Sequence, residues 1–297
     1  RKLGIKIKLT KSHCVIHGNG LNGYNYKKKL TLDAGNSGTL GRLILGLLTH
    51  SRSKIKIIGD NSLSKRDFKR VTEPLKKFGV NFTMKSNTLP ITIEGTKNPK
   101  PIKYFEKRGS AQCKSAIMFA ALNTKGKTVI KAKKSRDHTE LFFKFLKIPI
   151  KVTKKINYDL IEINGKKNFK PINYRIPSDI SSSSFFIIIT ILSNNSKLTI
   201  KNVNINPSRT GILKILRLMN VKISIKNSKT YKGEKVADIV VKSQRKINAI
   251  NCPSNLNSAA IDEFLLIFLV AAKANGVSHF KNLSELNEKE SPRLKWG

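Results

Sequence analysis

The chain has 297 residues, of which 39% are hydrophobic and 26% charged, a balance that suits two domains with a core in each. It excludes collagen-like, low-complexity and disulfide-scaffold proteins. The formal net charge of +40, from 58 Lys and Arg against 18 Asp and Glu, makes nucleic acid the first partner to consider.

The predicted elements follow one phrase, repeated along the chain. An apolar helix at 40–48 lies behind the opening Gly35-Asn36-Ser37-Gly38-Thr39. A β-branched strand at 54–58 leads to a polar turn with Arg66. An amphipathic helix then carries Phe68, Val71, Leu75 and Phe78, and Gly79 stands where a helix stops. Alternating strands at 80–85 and 90–94 close the unit. The second copy opens with Gly109-Ser110-Ala111-Gln112, a helix at 115–122 and a strand at 128–131. Its turn carries Arg136, and its second helix carries Leu141, Phe142 and Phe145. The third opens with Ser178-Asp179-Ile180-Ser181-Ser182, a helix at 184–192 and a strand at 197–201. Arg209 marks its turn; Ile212, Ile215, Leu216 and Met219 mark its second helix before Asn220; strands at 221–226 and 238–242 end it. A fourth copy, with a helix at 261–272, a strand at 277–281 and Arg293, breaks off at Trp296.

The turn arginines are spaced by 70, 73 and 84 residues. That is too long for a solenoid and right for a βαβαββ unit whose apolar first helix is buried between a sheet and a second helix. The expectation is an α/β (α+β) protein of repeated units in two domains, 1–177 and 178–297. Because the chain opens at Arg1 and the fourth copy is incomplete, a fragment lacking both ends, inactive or nearly so by itself, is expected.

The charge itself argues for a diffuse lysine surface. Only 12 of the 58 basic residues are Arg, the rest are scattered through every segment, and no RNP-like or zinc-finger pattern occurs. The apolar runs at 185–189 and 264–272 are too short to span a bilayer. Cys14, Cys113 and Cys252 form no CxxC, which fits a cytoplasmic protein. The five histidines form no HxxxH, and no P-loop or GxGxxG is present, so neither metal nor cofactor is expected.

Chemistry is expected where the buried helices begin, since helix N-termini and flexible glycines favour anions. Plain capping by Asn, Ser and Asp is the competing reading at each. The turn arginines suit phosphate or carboxylate, and together they imply a substrate with several negative charges. Among scarce carboxylates, Asp262 opens the last apolar helix and Glu290 lies in Lys289-Glu290-Ser291-Pro292-Arg293. Such a pair can serve as general acid and base, although Asp262 could also be only a helix cap.

These motifs in series resemble the 5-enolpyruvylshikimate-3-phosphate (EPSP) synthase family. The resemblance is carried by LDAGNSGT at 32–39 with Arg42, GDNSLSKRDFKRVTEPLKKFGV at 59–80, SAQCKSAI at 110–117 and SRDHTE at 135–140. DISSSSFF at 179–186, NPSRTGILKILRLM at 206–219, IDE at 261–263 and KESPRL at 289–294 complete it. It implies an inside-out α/β barrel of βαβαββ units and a monomeric cytoplasmic enzyme of the shikimate pathway to chorismate and the aromatic amino acids. The implied reaction transfers the enolpyruvyl group of phosphoenolpyruvate to the 5-hydroxyl of shikimate 3-phosphate, without metal or cofactor. By the same resemblance, Asn36, Gly38, Thr39, Arg42 and Arg66, joined by Arg293, surround phosphoenolpyruvate. Ser110, Ala111, Gln112, Ser135, Arg136, Asp262 and Lys289 hold shikimate 3-phosphate, and Asp262 and Glu290 move protons. In that family glyphosate occupies the phosphoenolpyruvate site beside the glycine that matches Gly38. A GDKSISHR-like first loop and a late Asp-x-Arg element are absent, and Pro292 stands where the family usually has Asp. The competing readings are the sister enzyme acting on UDP-N-acetylglucosamine and a basic nucleic-acid-binding protein on the same repeat.

Overall fold

The computed structural model of the chain describes residues 1–21, 23–26, 29–51, 53–165, 168–288 and 293–296. A short exposed hairpin, β1 (Lys6–Leu9) and β2 (Cys14–His17), precedes the repeats. The first repeat runs β3 (Leu30–Asp33), α1 (Gly38–Leu47), β4 (Ile55–Ile58), α2 (Asn61–Ser64), α3 (Lys69–Lys76), β5 (Asn81–Met84) and β6 (Ile91–Glu94). The second runs β7 (Lys103–Glu106), α4 (Ala111–Leu122), β8 (Lys127–Lys133), α5 (His138–Phe145), β9 (Ile150–Lys154) and β10 (Tyr158–Asn164). The third runs α6 (Ile180–Leu192), β11 (Lys197–Asn204), α7 (Gly211–Leu218), β12 (Ile223–Tyr231) and β13 (Glu234–Lys242). Then follow α8 (Phe264–Ala271) and the short α9 (Arg293–Trp296).

The sheets repeat one topology. Their strand orders are β3-β4-β6-β5 and β7-β8-β10-β9, and in each the first two strands are parallel and the others antiparallel. The third sheet, β11-β13-β12, keeps that order, with its first strand reduced to a single parallel bridge from Ser178 to Val203. The crossover between two parallel strands needs a helix, which is why the apolar helix follows the first strand in each unit.

The chain divides into two compact units. The first comprises residues 1–134 and 143–172; the second comprises 135–142 and 173–297. In the first, Phe68, Val71, Leu75 and Phe78 are completely buried, each worth about 1.5–3 kcal/mol against exposure. Gly79 closes that helix at φ +95°, open to glycine at no steric cost. Pro74 lies inside α3 and cannot donate to the Arg70 carbonyl one turn back; that carbonyl instead accepts from the Cys113 thiol at 2.9 Å. Burial pushes the Cys113 pKa up to about 12, so the sulfur keeps the proton it donates.

Helix α1 packs on α4, and Gly46 sets how closely: a Cβ there would collide with the Ala116 backbone. Helix α4 is buried along nearly its whole length, as its all-round apolar pattern predicts. In the second unit α6 buries Ile180, Ile187, Ile188 and Ile191 but leaves Phe185, Phe186 and Ile189 59–63% exposed. Two sequence expectations change here. No strand forms over 277–281; His279 makes one parallel bridge to Asn251. The last apolar helix starts at Phe264, after a turn that contains Asp262.

Candidate active site

In the first unit the site begins with the parallel pair β3 and β4. Parallel strands end on the same side, so the loops after Asp33 and after Ile58 meet there. Asp60 N donates to Gly35 O, and Asn36 Nδ2 donates to Asp60 Oδ2 at 2.5 Å. Asp60 also caps α2 by accepting from Leu63 N at 2.7 Å. That backbone bond and the Asn36 amide hold the Asp60 carboxyl below its ordinary pKa.

Gly38 opens α1 behind Ser37, whose Oγ accepts from Leu40 N at 3.1 Å. A Cβ on Gly38 would sit 2.9 Å from both Arg42 Nη1 and Arg66 Nη1. The glycine therefore faces two guanidinium groups, one from its own helix and one from the turn after α2. Arg42 is 1% exposed. It donates to Gln112 Oε1 at 2.7 Å and to the Asp67 carbonyl at 3.4 Å, and lies over the Phe68 ring at 5.1 Å. Gln112 Nε2 in turn donates to Thr39 Oγ1 at 2.9 Å. The packing of α1 on α4 thus brings Gly38, Thr39, Arg42 and Gln112 together, and the loop after β4 adds Arg66.

Ser110 caps α4, accepting from Cys113 N at 3.2 Å, and Ala111 is the first residue of the helix. The loop before it is held by a carboxylate that the sequence reading did not single out. Glu106, at the end of β7, accepts from the backbone N–H groups of Arg108, Gly109 and Ser110 at 3.0, 2.7 and 3.0 Å. Burial pushes the Glu106 pKa up against those bonds and the nearby Lys114 charge. All three helix openings carry capping bonds, the third donated by Ser182 N to Asp179 Oδ2. The backbone N–H groups just before α4 are taken by Glu106, so side chains, rather than bare helix ends, present the charge.

In the second unit the centre is Asp262. Its carboxylate accepts from Arg136 Nη2 and, at 3.4 Å, from Arg293 Nη1. Glu263, not Asp262, occupies the α8 cap position, and it makes no side-chain capping bond. The helix-cap reading of Asp262 is therefore replaced by a double ion pair. Ser135 Oγ is buried with no hydrogen-bond partner among the described residues. Beside Asp262, Glu263 is 2% exposed and accepts from Ser181 Oγ; burial raises its pKa above the ordinary range. Ser181 Oγ accepts from Arg209 Nη2 at 2.6 Å, and Arg209 also reaches Asp179 Oδ1 at 3.1 Å. Lys289, Glu290 and Pro292 lie outside the described residues.

Sequence reasoning named the arginines and two of their acceptors, Gln112 and Asp262; it did not single out the polar residues that hold the surrounding loops. Asp60 stands inside the motif at 59–80, and its place after β4 was the available signal. Glu263 and Asn206 stand inside the motifs at 261–263 and 206–219 but drew no role, because burial decides their weight; Glu106 gave no sequence signal.

A family profile described as EPSP synthase (3-phosphoshikimate 1-carboxyvinyltransferase) matches residues 1–296. The 3-phosphoshikimate 1-carboxyvinyltransferase of Caldicellulosiruptor saccharolyticus is 39% identical over 99% of this chain and 68% of its own. An EPSP synthase structure from Acinetobacter baumannii superposes with a TM-score of 0.86 at 34% identity, covering 99% of this chain and 66% of that one. The enolpyruvyl transferase NikO of Streptomyces tendae shares the fold at 12% identity, with a TM-score of 0.59 over 79% of this chain and 54% of that one. This chain thus spans about two thirds of the length of its EPSP synthase relatives. With its repeated βαβαββ units and full-length match, the chain belongs to the EPSP synthase family, the 3-phosphoshikimate 1-carboxyvinyltransferases.

Proposed function

We propose that the protein transfers the enolpyruvyl group of phosphoenolpyruvate to the 5-hydroxyl of shikimate 3-phosphate and releases phosphate. The observation that carries this reading is the family match over residues 1–296. The site geometry supports it. Asn36, Gly38, Thr39, Arg42 and Arg66 are assigned to phosphoenolpyruvate, where two guanidinium groups beside a glycine suit a phosphate and a carboxylate. Ser110, Ala111, Gln112, Ser135, Arg136 and Lys289 are assigned to shikimate 3-phosphate, and Arg293 to phosphoenolpyruvate.

The reaction is an addition followed by an elimination. The 5-oxygen bonds to C2 of phosphoenolpyruvate while C3 gains a proton. The C2–O bond to phosphate then breaks as C3 gives its proton back. Asp262 takes the hydroxyl proton and Glu290 serves C3. Two flanking arginines orient Asp262 for that task. A cytoplasmic location goes with this reading; Cys14, Cys113 and Cys252 are all unpaired with one another, and no described helix is long and apolar enough to cross a membrane.

The test is phosphate release from the purified protein with both substrates, one at a time and together. Release that needs both supports the reading; no release together with no gain of thermal stability from shikimate 3-phosphate, or release with UDP-N-acetylglucosamine in its place, overturns it. Retention on DNA with a steep salt slope and no phosphate release would favour the nucleic-acid reading.

A further inference from the structure

Two arginine-bearing turns of the second unit are tied together by a residue to which the function above gives no role. Asn206 is 2% exposed. Its Nδ2 donates to Asp137 Oδ1 at 2.9 Å and to Glu234 Oε2 at 3.2 Å, while its Oδ1 accepts from Ser208 N at 2.8 Å. Glu234 is itself buried, with Oε1 2.6 Å from His138 Nδ1. Ser208 Oγ adds a longer bond to Asp137 Oδ1 at 3.4 Å. The two residues that follow Arg136 are therefore both held at one hub.

From that hub a chain of polar contacts closes on itself. Ser208 precedes Arg209, which holds Ser181; Ser181 donates to Glu263; Glu263 adjoins Asp262; and Asp262 pairs with Arg136, next to Asp137. Asn206 is suited to the closing position by its chemistry. A neutral amide donates two N–H groups and accepts at its oxygen, so it can bridge two carboxylates and a backbone N–H at once. Aspartate there would put three carboxylates together, and alanine would leave the buried Glu234 and the half-buried Asp137 each short of a donor.

We propose that Asn206, seated on Glu234, is a positioning residue that fixes the Ser135–Arg136 turn for shikimate 3-phosphate. This rests on the assignment of that turn to shikimate 3-phosphate. It predicts an effect confined to one substrate. In Asn206→Ala, KM for shikimate 3-phosphate should rise about tenfold, equivalent to about 1.4 kcal/mol, with KM for phosphoenolpyruvate changed less than about twofold. Glu234→Gln keeps an acceptor for Asn206 and should give a smaller rise of the same kind. It is also the variant to measure if Asn206→Ala does not fold.

Hydrogen exchange gives a readout that does not need turnover. The amides of residues 136–139 should exchange at least about tenfold faster in the variant, while those of β10 stay unchanged. If the unaltered protein neither releases phosphate nor gains thermal stability from shikimate 3-phosphate, the functional reading fails and exchange alone decides the hub. If it turns over but the two KM values rise together, or if exchange at 136–139 is unchanged, the positioning role is overturned.

Discussion

The two units place their arginines in opposite ways. In the first, Arg42 and Arg66 converge on Gly38, and the bonds that steady Arg42 come from an amide oxygen and a backbone carbonyl. In the second, Arg136 and Arg293 converge on the carboxylate of Asp262. The first arrangement sets two guanidinium groups against a glycine and suits an incoming anion. The second is internally compensated, so an anion binding there competes with Asp262 for its arginines. A basic chain thus holds one site shaped by missing atoms and another shaped by paired charge.

The comparison breaks most visibly at Asp262. Asp262→Ala should lower kcat by roughly 10²–10⁴-fold, the range for a positioned acid or base. Near-normal turnover in a phosphate-release assay would reduce Asp262 to an arginine anchor.

Gly38→Ala tests that glycine. The new methyl would meet the Nη1 atoms of Arg42 and Arg66 at 2.9 Å, and because Arg42 is buried and held by Gln112 and the Asp67 carbonyl, those guanidinium ends must shift to admit it. Glyphosate inhibition should weaken by about tenfold or more, with a smaller rise in KM for phosphoenolpyruvate. Inhibition titrations in which both constants rise equally would remove Gly38 from the inhibitor's surroundings.

Helix packing sharpens the same contrast on the scale of stability. Ile117→Ala, on the fully buried α4, should cost about 2–5 kcal/mol, and Gly46→Ala, at the closest approach to α4, about 1–3 kcal/mol. Phe185→Ser and Phe186→Ser, on the exposed side of α6, should change stability by only about 0.5 kcal/mol. Urea unfolding of the four variants checks the order; a large loss at Phe185 would mean that α6 is covered in solution.

The smallest effect is one of pH, with opposite signs in the two units. Burial holds the Glu106 pKa above its ordinary value, so its share of stability is present below that value and is lost as pH rises through the raised one. Burial also pushes Glu234 up, but the His138 bond and charge, with Asn204 and Asn206, bring it below the ordinary value. Its share is therefore present above the ordinary value and is lost as pH falls through the lowered one. In denaturation curves across the acid range, Glu234→Gln should flatten the loss on acidification, and Glu106→Gln the loss on the rising side. If both variants alter the same limb, the assignment of signs is wrong.

Much of this was legible in the sequence. The period of the turn arginines and the alternation of apolar helix, strand and amphipathic helix gave the βαβαββ repeat, because burial of one face imposes 3.6 and 2 periodicities directly on residue order. The strand at 277–281 failed for the same reason reversed: a β-branched run is a strand only when neighbours pair with it along its length, and here only His279 bridges to Asn251. Asp262 was legible as a scarce carboxylate but not as a doubly paired one, since Arg136 lies 126 residues away.

What the sequence determined by itself is the repeat, the family, and the set of arginines and small residues able to meet anionic substrates. These follow from local pattern and residue chemistry. What only the tertiary structure decided is which acceptor holds each of them: Gln112 for Arg42, Asp262 for Arg136 and Arg293, Glu106 for the loop before α4, and Asn206 between Asp137 and Glu234. Hydrogen bonds and ion pairs gain their weight from burial and from approach within about 3 Å, and chain folding sets both between residues that are remote in sequence.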